Sequence, residues 1–318
     1  MVKEYKVFAG NSNPELAKKI AAYLKVPLGK IDVGPYLNKE TRVEILESVR
    51  KKDVFIIQST CPPVNDNLME LLIMIDAFKR ASCGFVTAII PYFGYSKQDK
   101  KKTGREPITA KLVANLLVKA GVDRVVTLEL HSDPIQGFFD IPVDDLKSVN
   151  LMARYFEKKK ISDLVVVSPD VGGTKRARDI SKRLNAGLAI IDKYRPNFGK
   201  AYAMNVIGDV KNKTALIVDD LIDTGGTIVE AVHALEAKGA KRVYIYCTHS
   251  LLTPPAVERL KHLKIEEFVT TDTVPIPRDK MFPNFKIIST GDLLGETIKR
   301  ILKGESVIEL FKNNRRGK

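Results

Sequence analysis

Residues Ala215–Ile228 read "ALIVDDLIDTGGTI". Four apolar residues run into Asp219 and Asp220, a third carboxylate follows at Asp223, and Gly225 and Gly226 then stand between Thr224 and Thr227. The apolar run has the length and branching of a buried parallel strand, and from Thr227 onward the apolar residues recur with a helical period. Strand, loop, helix is therefore the local plan, and in open α/β sheets ligands bind at the carboxyl ends of the strands. The two glycines open backbone geometries closed to other residues and let a ligand approach the main chain. Together with the helix start they form a cradle for an anion. No Gly-Lys-Ser/Thr is present, so this is not a Walker A loop, and a dinucleotide fingerprint carries no carboxylates here. Acceptors beside an anion cradle suit a ligand bearing hydroxyls and a phosphate together, namely a sugar phosphate. Asp219 and Asp223 would accept from ribose hydroxyls, with Thr224–Thr227 on the 5-phosphate. Helix capping by Asp223 or Thr224 explains one polar residue, but leaves an adjacent aspartate pair repelling itself for no gain.

The same plan repeats outward from this stretch. "VFIIQS", "VTAIIP", "RVVTLEL", "LVVVSP", "LAIID", "RVYIYC" and "FKIIS" are short, β-branched runs. Between them lie segments of helical period at Pro14–Leu24, Asn67–Ser82, Pro107–Ala120, Lys175–Leu184, Thr227–Lys238 and Pro255–Leu263. Strand and helix alternate, which predicts an α/β protein with mainly parallel sheets flanked by helices. The rhythm falters at "PVDDLKSVN", Pro142–Asn150, where polar and turn residues collect. This places one domain over 1–147 and a second over 148–318, with the C-terminal tail free to pack on the first, a division that suits a chain of 318 residues.

The chain carries 52 lysines and arginines against 38 acids, a formal net charge of +14. Such an excess attracts polyanions, yet the basic residues are interleaved with acids, and the dense runs are only "KQDKKKTGR" and "KNNRRGK". Neither zinc-finger spacing nor an RNA-binding aromatic signature is present. A small phosphorylated ligand accounts for the excess better than nucleic acid. No apolar run approaches a membrane span and no signal-peptide core opens the chain, so a cytosolic setting is expected. Cys61, Cys83 and Cys247 lack metal-ligand spacing and read as buried thiols.

"ALIVDDLIDTGGTI" resembles the phosphoribosyl-diphosphate binding motif shared by phosphoribosyltransferases and ribose-phosphate diphosphokinases. "FAGNSNPELAKKIA", "NDNLMELLIMIDAFKRA", "QDKKKTGREPITAKLVANLL", "LHSDPIQGFFDIPVDDL", "SPDVGGTKRARDIS" and "GESVIELF" follow in the order of the diphosphokinases. On these segments the chain is similar to that family over essentially its full length. The resemblance implies two tandem phosphoribosyltransferase-like domains, an N-terminal one on the ATP side and a C-terminal one holding ribose 5-phosphate. The implied reaction is transfer of the diphosphoryl group of ATP to the anomeric hydroxyl of ribose 5-phosphate, giving 5-phosphoribosyl 1-diphosphate and AMP. A phosphoribosyltransferase would use the same loop but not the long first half, and a non-catalytic regulatory relative would carry interrupted catalytic segments.

The resemblance also implies site residues. His131 in "LELHS" and Asp170 in "SPDVGG" match the family's Mg2+ ligands; Glu129 stands where many relatives have aspartate and is left out of the metal set. Gly172 and Gly173 repeat the strand, carboxylate, glycine, helix plan and mark a place for a second phosphate. In "IDKYRPNFGKAYA", Lys193 and Arg195 match the catalytic cations of a closing segment, Arg195 also reaching the sugar phosphate; their charge would meet charge developing on transferred oxygens. Asp220 belongs with Asp219 and Asp223 on the ribose 5-phosphate side. For ATP the matches are Tyr36, Asn38, Lys39 and Glu40 in "PYLNKE", and Lys97, Gln98 and Asp99 in "YSKQDKK". Lys97 replaces the usual arginine, whose planar fork an ammonium cannot copy. Ser48, Arg50, Arg105 and Ser306 correspond to a shared-subunit site at which phosphate activates and ADP inhibits. A dimer-based homo-oligomer, commonly a hexamer, is implied as well.

Overall fold

The computed structural model describes residues 4–194 and 203–311. Arg195 and the rest of "RPNFGKAY", expected to be catalytic, and the basic tail from Lys312 lie outside the described residues. Two compact units form. One holds the chain up to Lys147, Thr273–Pro275 and a return from Ser289; the other holds Ser148–Asp272 and Ile276–Ile288.

In the first unit the order is β1 (Tyr5–Ala9), α1 (Pro14–Leu24), β2 (Ile31–Pro35), β3 (Thr41–Ile45), β4 (Asp53–Ile57), α2 (Val64–Arg80), β5 (Val86–Ile90), α3 (Thr109–Ala120), β6 (Arg124–Leu128) and β7 (Val143–Leu146). The second unit has α4 (Val149–Glu157), β8 (Leu164–Ser168), α5 (Thr174–Leu184), β9 (Gly187–Tyr194), β10 (Ala203–Ile207), β11 (Thr214–Ile222), α6 (Gly226–Ala237), β12 (Arg242–Ser250), α7 (Ala256–Lys261), β13 (Glu267–Thr271) and β14 (Phe285–Ile288). Helix α8 (Gly291–Lys303) then rejoins the first unit.

A five-stranded, all-parallel sheet, ordered β1-β4-β5-β6-β7, forms the first unit. Its inner strands β4, β5 and β6 are buried on both faces because both are covered. Val54 and Ile56 enter one core with α2 and α3, whereas Phe55 and Ile57 enter another with Leu16 and Ile20 of α1 and Leu294 and Ile298 of α8. This is the pattern that distinguishes parallel strands from one-sided antiparallel ones. Asn13 caps α1 by accepting from the Leu16 N–H at 3.2 Å, Pro14 opens it, and Tyr23 of α1 donates to Glu296 of α8 at 2.7 Å.

The second unit is a seven-stranded sheet, β10-β9-β8-β11-β12-β13-β14, parallel except for the β9/β10 pair. Its central strand is β11, so the opening stretch sits in the middle of the sheet. Val165, Ile217 and Ile245 face one core, and Val166, Leu216 and Val218 the other.

Within Pro142–Asn150, expected as a polar connection, lie β7 and the start of α4. β7 is short and carries Asp144 and Asp145, so its composition hides a strand that β6 pairs in parallel. Cys61 and Cys247 are buried and Cys83 is half-buried; all three thiols are free. Among the described residues no helix is long and apolar enough to cross a membrane.

Candidate active site

β11 runs three residues past Asp219, so Asp219 and Asp220 lie inside the strand rather than in the loop. Asp219 stands in register with Cys247 of β12. The aspartate pair does not stand alone: Nη1 of Arg176, in the first turn of α5, lies 3.0 Å from Asp220 Oδ1 and 3.5 Å from Asp219 Oδ1. Burial pushes the Asp219 carboxyl well above its ordinary range, and the neighbouring Asp220 charge adds to this, while Arg176 opposes it. Mutual repulsion of the pair, which the capping reading leaves without gain, is thus partly relieved by a half-buried guanidinium.

Beyond the strand, Gly225 caps α6 at φ +76°, and its carbonyl accepts from the Val229 N–H at 3.0 Å. A Cβ on Gly225 would find Ala256 Cα at 3.6 Å, an ordinary contact, so the left-handed backbone and not lack of space calls for glycine here. The loop is braced from behind. Thr253 donates from its hydroxyl to Asp223 and from its N–H to the Asp223 carbonyl at 3.1 Å, and Arg259 of α7 donates to the Thr224 carbonyl at 3.1 Å. Thr224 remains exposed, and Gly226 and Thr227 are half-buried at the start of the helix. The N–H groups of that first turn lack intrahelical acceptors by construction, which makes the turn an anion cradle.

The β8–α5 junction is built alike. Asp170 is exposed, and its Oδ1 accepts from the Gly173 N–H at 2.8 Å, so the carboxylate shapes its own glycine turn. A Cβ on Gly173 would meet Ser168 Oγ at 2.8 Å, with Asp170 Oδ1 at 3.6 Å and Arg176 Nη1 at 3.7 Å beyond it. Arg176 therefore lies between the two junctions, and the charge of Asp170 is one of those that raise Asp219. Lys193, at the end of β9, forms an ion pair with Glu230 of α6.

In the first unit, Tyr36–Glu40 is the turn of the β2/β3 hairpin. Tyr36 takes the Lys39 N–H on its carbonyl, Lys39 adopts φ +70°, and the Asn38 side chain accepts from the Glu40 N–H at 3.1 Å. Tyr36 is 53% exposed, open to stack on a planar ligand. Lys97 and Gln98 are exposed on the loop after β5; Gln98 accepts from Thr109 at 2.6 Å, and Asp99 accepts from Ser132 at 2.5 Å. His131 is exposed just beyond β6, next to Ser132. Ser48, Arg50, Arg105 and Ser306 are all exposed, and no hydrogen bond or ion pair joins the four among the described residues; Arg300 donates to the Ser306 carbonyl at 2.8 Å.

Behind His131 lies a charged cluster. Lys147 Nζ reaches Asp145 at 2.6 Å and Asp133 at 3.0 Å, and Asp145 accepts from the Leu130 N–H at 3.0 Å. Burial pushes the Asp145 carboxyl up to about 6; Lys147 opposes this and Glu129 adds to it. Burial works against the Lys147 ammonium, but Glu129 and Asp145 hold it above its ordinary range. Glu129 is itself buried and adopts φ +54°.

His131 and Asp170 belong to different units, and no group of three metal-ligating side chains occurs among the described residues. Mg2+ does not require one: it keeps several waters and is held by one or two carboxylates together with substrate phosphates. An exposed carboxylate on a glycine turn, Asp170, fits that demand. Sequence reading missed Arg176, Thr253 and Arg259. Arg176 stands within "SPDVGGTKRARDIS", but nothing local distinguishes it from Lys175 and Arg178 as the partner of the β11 aspartates. Thr253 and Arg259 reach the loop only through the fold, and no local pattern announces them.

Fold and loop together define a class: α/β proteins of paired parallel-sheet units with a glycine-led anion loop at the carboxyl edge of a central strand. Comparison with known proteins narrows it. The N-terminal domain of ribose phosphate pyrophosphokinase matches residues 5–121, and the phosphoribosyl synthetase-associated domain matches residues 196–312. A ribose-phosphate pyrophosphokinase of Caldanaerobacter subterraneus is 54% identical over 96% of this chain and 97% of its own. Another, from Bacillus subtilis, is 51% identical over 97% of this chain and 98% of its own. The crystal structure of a phosphoribosylpyrophosphate synthetase from Mycobacterium smegmatis superposes with a TM-score of 0.91 at 44% identity, covering 95% of this chain and all of that one. The chain belongs to the ribose-phosphate pyrophosphokinase family.

Proposed function

We propose that this chain transfers the diphosphoryl group of ATP to ribose 5-phosphate. The anomeric hydroxyl oxygen attacks the β-phosphorus, the bond from that phosphorus to the α,β-bridging oxygen breaks, and AMP leaves with the electron pair. The hydroxyl proton passes to solvent. The observation that carries the reading is near-end-to-end identity of about one residue in two with named pyrophosphokinases, on a chain that keeps the Asp219–Thr227 loop intact.

Within that reading the C-terminal domain, 148–318, holds the sugar phosphate. Asp219, Asp220 and Asp223 orient the ribose, and Thr224, Gly225, Gly226 and Thr227 cradle the 5-phosphate. The N-terminal domain, 1–147, supplies Tyr36, Asn38, Lys39, Glu40, Lys97, Gln98 and Asp99 to ATP. Lys193 and Arg195 bring fixed positive charge to the transferred group, a role that needs positioning more than covalent chemistry. His131 and Asp170 would hold Mg2+, which supplies charge neutralisation on the phosphates when bound. The setting is cytoplasmic, and the working form is a dimer-based oligomer, a hexamer, with phosphate and ADP meeting Ser48, Arg50, Arg105 and Ser306.

The test is release of AMP from ATP, followed with an AMP-coupled assay. AMP should accumulate only when ribose 5-phosphate and Mg2+ are both added, and with no nucleobase present. ADP formation, or AMP formation that needs a base, would overturn the reading.

A further inference from the structure

The cluster behind His131 is not part of the binding loops, yet the fold keeps the Asp145 side chain only 1% exposed, and a buried carboxylate is stable only when it is paired. Its geometry shows what it fixes. Asp145 ends one arm by accepting the Leu130 N–H at 3.0 Å, and Lys147 ends the other by reaching Asp133 at 3.0 Å while holding Asp145 at 2.6 Å. The residue before Leu130, Glu129, is buried in a left-handed backbone conformation at φ +54° and adds its charge to the same Lys147. A side chain other than glycine persists there only where its surroundings over-determine the backbone. Ser132 is tied in turn to Asp99 at 2.5 Å. His131 thus stands exposed on a backbone whose residues on both sides are held.

We propose that Lys147 is a positioning residue for the His131 loop, acting through Asp145 on Leu130 and directly on Asp133. The role rests on the proposed diphosphoryl transfer only in what His131 does next; the clamp is a property of the substrate-free chain. Lys147 touches no reactant. It removes the freedom of the loop to swing, so that His131 and the Asp99 segment keep one relative placement before substrates arrive, which is the service a supporting shell gives to a metal-binding side chain.

The experiment uses the full chain and two readouts. Amide hydrogen exchange in the absence of substrates is compared for the parent, Lys147→Met and Lys147→Arg. In Lys147→Met, exchange across residues 129–133 should rise about tenfold or more, the loss expected for a charge-assisted tie, while amides of β4 and β5 stay as protected as in the parent. Lys147→Arg, which keeps the cation, should restore most of the protection. In parallel, the Mg2+ concentration for half-maximal AMP formation should rise in Lys147→Met by a larger factor than the KM for ribose 5-phosphate. Unchanged exchange at 129–133, or a uniform rise throughout the unit, overturns the clamp, as does a KM effect equal for metal and sugar. If the parent makes no AMP, the exchange comparison alone still supports or refutes the clamp, and the functional reading fails separately. Should Lys147→Met not fold, Asp133→Asn serves. It removes the Lys147–Asp133 arm and leaves Asp145 holding the Leu130 N–H, so exchange should rise at Asp133 and remain low at Leu130; equal rises at both, or none, would contradict the arrangement.

Discussion

Asp219 shows how far single residues could be read. The sequence marks it as a carboxylate at a ligand edge, and the structure adds that its charge is held at a cost in a mostly buried place beside Asp220. A carboxyl raised above its ordinary range binds its proton more tightly when folded than when unfolded, so its contribution to stability falls as pH rises between the two values. Asp219→Asn removes that loss. The variant should gain stability over the parent at about pH 8 and gain less at about pH 5, measured by urea denaturation; an equal gain at both would show that the group is not raised. The same substitution should raise the KM for ribose 5-phosphate, because a functional site carries charge that stability alone would not select. Arg176 was not legible as a partner, since α5 and β11 meet only in the folded unit and its neighbours in sequence, Lys175 and Arg178, have the same charge.

At the scale of elements, helices were legible where apolar residues recur with period: α1 occupies Pro14–Leu24 as the period predicts, and α6 spans Gly226–Ala237 against an expected Thr227–Lys238. Strands β2, β3 and β7 escaped for a common reason, because each alternates or mixes polar residues and takes its identity from the partner it pairs with. The loop between β11 and α6 yields two expectations. Gly225→Ala has room for its methyl group but must place an alanine at φ +76°, so it should lose about 1–2 kcal/mol, read from denaturant midpoints, together with affinity for the sugar phosphate. A loss of stability without loss of affinity would separate Gly225 from the cradle. Lys193 pairs with Glu230 on the helix that follows the loop. If its cation serves the transferred group, Lys193→Ala should lower turnover by roughly a thousandfold and change substrate KM values far less; an effect confined to KM would place it on binding.

The molecule as a whole depends on a return of the chain that no local pattern could show. After β14 of the second unit, α8 closes the first unit, where Leu294 and Ile298 are fully buried against Leu16 and Ile20. An amphipathic helix can be recognised from sequence, but not the sheet it will cover. Leu294→Ala should destabilise by about 2–5 kcal/mol, the range for a large-to-small change in a closed core, and calorimetry should show the loss in the transition of the first unit. A cost below about 0.5 kcal/mol would mean that α8 is peripheral to that core. The central claim concerns the whole chain: one transfer, in which the β- and γ-phosphates of ATP move together. Phosphorus NMR of ATP, ribose 5-phosphate and Mg2+ with the full chain tests it most directly. The account predicts that the ATP resonances give way to AMP and a coupled diphosphate on the sugar in equal amounts; ADP with a monophosphorylated product, or free inorganic phosphate in place of the diphosphate, would contradict it.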